Sequence, residues 1–144
     1  MENRHGLVVD LELTRASGTS EREAATQMLK RVRERVRLRR LTLGADKGYD
    51  TQGFLEECEE LRVTPHVARR ESYWGSALLA RLATAPEYQV SQRKRVEEIF
   101  GWTKTVGMSR KLRYKGVERN RLWVEITMAA YNLVRMGKLV GAAA

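Results

Sequence analysis

Three short apolar segments alternate with helix signals, and two further helical stretches follow. That order, β-α-β-α-β-α-α, predicts an α/β layer fold. The chain has 144 residues, 42% of them hydrophobic, which suits one domain, residues 1–144, with its own core.

The first segment, Gly6 to Thr14, alternates Val9, Leu11 and Leu13 with Asp10, Glu12 and Thr14, the period of a strand with one buried face. Ser17-Gly18-Thr19-Ser20 breaks it. Ser20 and Glu23 have capping-box spacing, so a helix is expected from about Glu21 to Val36. Its inward residues are Ala24, Ala25, Met28, Leu29 and Val32. Leu41 to Ala45 reads as a short strand ending at Asp46, and Thr51 can cap a helix over Gln52 to Leu61. Val63 to Val67 is a third strand, where Pro65 suggests an edge or an end. Residues 70–87 read as loop, with some helix around Ala77 to Leu82. A long helix is expected from Ser91 to about Val106, weakened by Gly101. A basic loop spans Gly107 to Gly116. The final helix, Asn120 to Lys138, has Trp123, Ile126, Ala130, Leu133 and Val134 as its inward apolar face.

The formal net charge is +9, and it is clustered. Ser91 to Arg121 holds ten Lys/Arg against three Glu, and Lys30 to Arg40 holds seven cations against Glu34. Clusters of this kind suit a polyanion, with nucleic acid the leading candidate; a basic protein with no nucleic-acid role is the alternative. The single cysteine, Cys58, excludes an intrachain disulfide and a cysteine-cluster zinc site. Its acidic helical setting suits a structural thiol. No 18-residue apolar run suggests a membrane span, and the first residues lack a signal-peptide core, so the expected location is cytoplasmic.

Two motifs could carry chemistry. Arg93, Glu97 and Lys104 have spacings of four and seven, which puts them within roughly 40° on one helix face. A carboxylate between two cations can bind a divalent metal and hold phosphate oxygens. The same pattern also suits an ion pair on a solvated face. The second motif is Gly44-Ala45-Asp46-Lys47-Gly48-Tyr49-Asp50. It puts Asp46 at a strand C-terminus, where open α/β sheets bind ligands; a plain turn aspartate is the alternative.

Together these residues resemble the DDE transposases of bacterial insertion sequences, in the insertion-sequence-five branch. Ala45-Asp46-Lys47-Gly48-Tyr49-Asp50 and Val96-Glu97-Glu98-Ile99-Phe100-Gly101-Trp102-Thr103-Lys104 carry the likeness. Met1 to Asp10, Val63 to Ala68 and Ala129 to Val134 also look like the family. The resemblance implies a ribonuclease-H-like catalytic core in which three carboxylates bind two Mg²⁺ (or Mn²⁺) ions and DNA is cut and joined. Asp46 matches the second acid. Glu97 matches the third, within Arg-x3-Glu-x6-Lys; Glu98 would leave only five residues before Lys104. Where the family often has a Tyr three residues before the Arg, this chain has Val90.

The family's first Asp lies on a central strand upstream of the segment resembling Met1 to Asp10. The expectation is therefore an incomplete core, lacking that first, central strand but retaining C-terminal helices: the C-terminal part of a transposase catalytic domain, inactive alone. DNA at insertion-sequence ends is the implied partner, contacted by Arg93, Lys94, Lys104, Arg110, Lys111, Arg113 and Lys115. A homo-oligomer, or a partner supplying the N-terminal part, stays open. So does a non-catalytic DNA-binding remnant or regulator of transposition.

Overall fold

The computed structural model describes residues 1–36, 40–68, 97–107 and 111–142. The chain divides into two units, Met1–Ala16 with Arg93–Ala144, and Ser17–Gln92. The helix expected around Ala77 to Leu82 lies outside the described residues, as does the start of the helix expected from Ser91.

The Ser17–Gln92 unit contains α1 (Ser20–Arg35), β1 (Leu41–Ala45), a 3-10 turn (Lys47–Tyr49), α2 (Gln52–Glu60) and β2 (Val63–Val67). β1 and β2 pair in parallel, with Leu41 opposite Val63 and Ala45 opposite Val67. A parallel pair needs a crossover, and α2 supplies it. Leu29, Phe54, Cys58 and Val63 form the buried centre, flanked by Ala25, Leu41, Leu43, Tyr49 and Leu61. Pro65 sits opposite Leu43 in the middle of β2. Among the described residues β2 has one bonded neighbour, β1, and such a strand tolerates the missing N–H there. Mixed helices around a small parallel sheet are compatible with the expected α/β class.

The capping box is not formed. α1 begins at Ser20, and the Thr19 carbonyl accepts from the N–H groups of Arg22 and Glu23. Ser20 is engaged backwards instead. Its Oγ accepts from Ser17 N–H, and its own N–H donates to Ser17 Oγ, both at 3.1 Å. The serine-rich break thus closes on itself, and the N-cap residue, Thr19, makes no side-chain cap bond. Glu21 and Glu23 in the first turn, with Arg33 and Arg35 in the last, still match the helix dipole.

The other unit is built on α4 (Val117–Gly141), three residues longer at each end than expected. A shorter helix, α3, covers 97–105. The predicted strand over Gly6 to Thr14 is corrected: among the described residues, this segment joins no ladder. Side chains of α4 take the ladder's place. Asn132 accepts from Val8 N–H and donates to Val8 C=O, each at 2.9 Å. Tyr131 Oη donates to Gly6 C=O at 3.1 Å, and Arg135 Nε donates to His5 C=O at 2.8 Å. Arg121 and Glu12 form an ion pair at 2.6 Å.

The inward face of α4 is likewise corrected. Asn120, Thr127 and Tyr131 are its buried residues, whereas Ile126 and Leu133 are 61% and 70% exposed. The packed stripe holds polar groups that bind backbone, so hydropathy points to the wrong side. Gly107, where α3 ends, lies tightly against this stripe. A Cβ there would come within 2.7 Å of Thr127 Cγ2 and 2.8 Å of Thr103 C=O.

Candidate metal and nucleic-acid site

Asp46 leaves β1 at its C-terminal end and caps the 3-10 turn. Its Oδ1 accepts from Gly48 N–H at 2.7 Å, an Asx-type turn that orients the carboxylate. Asp46 is exposed, whereas Asp50 in the same motif is buried. Only the first is open to a ligand from solvent. Gly48 is needed for this arrangement, since a Cβ there would lie 2.9 Å from Asp46 Oδ1.

Two α1 residues brace the turn, and sequence reasoning missed both. Tyr49 Oη donates to Glu21 Oε1 at 3.1 Å, while Arg22 Nη1 reaches Gly48 C=O at 3.5 Å. The Tyr49 ring rests on Phe54 at 5.0 Å. Burial, and then the Glu21 charge, push the Tyr49 phenol well above its ordinary value, so it stays a neutral donor. No spacing rule links residues 21 and 22 to residue 49, so the pairing has no sequence signal.

Glu97 and Lys104 both lie on the exposed side of α3, two turns apart, while Ile99 and Thr103 are buried on the other. Between them on the same face is Gly101, where an added Cβ would touch nothing within 4 Å. The stripe is therefore open along its length. Glu98 sits a quarter-turn away and lines a cleft of about 190 Å³ with Trp102, Tyr131, Val134, Arg135 and Lys138. Trp102 is half-buried and meets the edge of Tyr131 at 5.3 Å, so its main role is packing.

Of the proposed DNA contacts, Lys104, Lys111, Arg113 and Lys115 are exposed. Arg93, Lys94 and Arg110 lie outside the described residues. The Arg113 guanidinium stacks 5.7 Å from the centre of the Trp123 ring, a cation–π contact that holds the basic loop to α4. Asn120 anchors the loop's end. Its Nδ2 donates to the carbonyls of Tyr114 and Gly116 at 2.6 Å, and its Oδ1 accepts from Tyr114 N–H at 3.1 Å. Gly116 has φ +91°, a conformation that disfavours any residue with a side chain. The loop thus holds its cations on a fixed base.

Asp46 belongs to one unit and Glu97 to the other. Among the described residues, no three or more His, Cys, Asp or Glu gather as a metal-binding group. Both carboxylates are exposed hard-oxygen donors, and Asp46 is pre-oriented by a backbone N–H. That chemistry fits Mg²⁺ or Mn²⁺.

The model of the transposase DDE domain matches residues 1–133. The chain belongs to this family of DNA-acting, generally divalent-metal-dependent proteins. No curated protein and no solved structure matches it. Among the described residues, no helix is long and apolar enough to cross a membrane.

Proposed function

We propose that this chain derives from an insertion-sequence transposase of the insertion-sequence-five branch, as the C-terminal part of a ribonuclease-H-like catalytic core. In this reading Asp46 is the second acid and Glu97 the third. The match over residues 1–133 carries the proposal. The exposed carboxylate of Asp46 at the end of β1, with Asp50 buried beside it, supports the choice of acid.

Asp46 and Glu97 would hold the divalent ions. When bound, these ions activate the attacking oxygen of water or a DNA 3′-hydroxyl and stabilise the leaving oxygen. Gly48 N–H keeps one Asp46 oxygen oriented. Lys104 offsets phosphate charge beside Glu97, and in the family pattern Arg93 does the same one turn earlier. Lys111, Arg113 and Lys115 hold the DNA backbone. Arg22 and Glu21 keep the Asp46 turn in shape.

Two acids are assigned within residues 1–144, whereas the family's chemistry uses three. The 144-residue chain by itself therefore binds DNA but neither cuts nor joins it. Incubation with Mg²⁺ or Mn²⁺ and DNA carrying the element ends tests this. The expected outcome is binding without turnover. Affinity should fall with salt at a log–log slope of about −0.9 per phosphate contact, shallower by about that much for each of Lys111, Arg113 or Lys115 changed to Ala. Turnover abolished by Glu97→Gln would overturn the two-acid account. Salt-independent affinity would overturn the DNA contacts.

A further inference from the structure

We propose that Tyr49 and Glu21 are a positioning pair for the metal-holding carboxylate of Asp46, and that they act through the hydrogen bond between them. The proposal rests on the metal reading of Asp46 and names what gives that carboxylate its direction.

Asp46 is exposed, so close packing does not hold its side chain. The Gly48 N–H orients it, 2.7 Å from Oδ1. That donor is only as fixed as the Lys47–Tyr49 turn that carries it. Three residues of 3-10 helix have poor hydrogen-bond geometry and little stability of their own. The turn closes on its own backbone through Tyr49 N–H and the Asp46 carbonyl at 3.1 Å, and the rest of its support comes from side chains.

Tyr49 supplies that support at the far end of the turn. Its ring rests on Phe54 at 5.0 Å, and its hydroxyl donates to Glu21 Oε1 at 3.1 Å. The ring contact sets how deep the side chain sits. The hydroxyl bond adds direction, because a hydrogen bond has a preferred angle. Burial, and then the Glu21 charge, keep the phenol protonated, so it remains a donor.

Glu21 is a suitable anchor because α1 is fixed to the same core. Leu29 of α1 is buried with Phe54, Cys58 and Val63, and Lys30 pairs with Glu57 of α2 at 3.1 Å. Arg22, the next residue, reaches the Gly18 carbonyl at 3.3 Å and the Gly48 carbonyl at 3.5 Å. The second of these is at the long limit of a hydrogen bond, so the shorter Tyr49–Glu21 bond carries most of the placement. All of these residues belong to the Ser17–Gln92 unit.

Calorimetric Mn²⁺ titration of the full 144-residue chain, with Gly48 amide exchange read by NMR and thermal unfolding in parallel, tests the pair. Tyr49→Phe keeps the ring and removes the hydroxyl. It should weaken Mn²⁺ binding about tenfold, the lower end of what a lost supporting contact costs a metal site. It should also speed Gly48 exchange, while the chain still unfolds cooperatively. Glu21→Ala should do the same. Glu21→Gln, whose amide oxygen still accepts, should recover most of the affinity. Tyr49→Phe combined with Glu21→Ala should be no weaker than either alone.

Parent-like affinity and Gly48 exchange in Tyr49→Phe would overturn the proposal, as would additive losses in the double variant. Glu21→Gln as weak as Glu21→Ala would mean that Glu21 acts by its charge, which also overturns it. So would loss of the unfolding transition in Tyr49→Phe, since the hydroxyl would then hold the whole unit. Asp46→Asn separates the pair from the metal reading. Affinity lost there but kept in Tyr49→Phe overturns the pair alone, whereas affinity indifferent to Asp46→Asn overturns both.

Discussion

The side-chain amide of Asn132 grips Val8 by both backbone groups, accepting from its N–H and donating to its C=O at 2.9 Å each. This is the bonding that a neighbouring strand would give. It satisfies one residue of the N-terminal segment without a sheet.

Asn132→Ala should therefore destabilise its unit by about 1–3 kcal/mol, because two backbone groups lose their partner together. Lys138→Ala, on an exposed position of the same helix, should stay within about 0.5 kcal/mol. Denaturant unfolding followed by circular dichroism compares them. Equal effects would mean that the Asn132 grip contributes nothing.

The Asn132 grip also explains which parts of the fold were legible in the sequence. β1, α2 and β2 follow from alternating apolar residues and turn chemistry, and they appear where expected. The Gly6–Thr14 alternation has the same form, yet no strand lies beside it among the described residues. Hydropathy carries no sign that an amide 124 residues away in sequence, at position 132, will take that role. The packed face of α4 was hidden for a related reason. Asn120, Thr127 and Tyr131 are chosen for hydrogen bonds and shape, while the apolar residues turn outward. At the candidate site, the exposed Asp46 followed from its place at a strand end. The Glu21 and Arg22 brace depends on how α1 lies over the turn, which no local pattern encodes.

Gly107→Ala should destabilise the same unit by about 1–3 kcal/mol, the usual cost of forcing a group into a filled space. The added carbon would meet Thr127 Cγ2 at 2.7 Å and the Thr103 carbonyl at 2.8 Å. The double variant Gly107→Ala with Thr127→Ser removes the first clash and should recover part of the loss. A neutral single variant would show that the junction of α3 and α4 is loosely packed.

Gly101→Ala should act in two directions. An exposed helical glycine replaced by alanine, with open space around it, should stabilise α3 by about 1 kcal/mol. The new methyl group lies between Glu97 and Lys104, where phosphate is proposed to approach, so DNA affinity should fall. Thermal unfolding and a DNA titration read the two effects separately. Higher stability with unchanged affinity would remove the α3 stripe from the DNA contact.

The Cys58 thiol is pushed up to about 11, first by burial and then by the charge of Glu57. It should stay protonated and react slowly with alkylating reagents at neutral pH. A raised pKa in the folded state means that its contribution to stability is present below the unfolded value. That contribution is lost as pH rises through about 11. Alkylation rates measured against pH, in native and urea-unfolded protein, check both statements. Rapid native labelling at pH 7 would contradict the buried setting.

The proposed function requires Asp46 and Glu97 to serve the same metal-dependent step. Mn²⁺ binding to the 144-residue chain, measured by calorimetry for wild type, Asp46→Asn, Glu97→Gln and the double variant, tests it most directly. Both side chains are exposed, so the variants should fold as the parent does. Each single change should weaken Mn²⁺ binding and the double change should add little, because groups acting as a unit are not additive. Independent, additive losses, or binding indifferent to both substitutions, would contradict it.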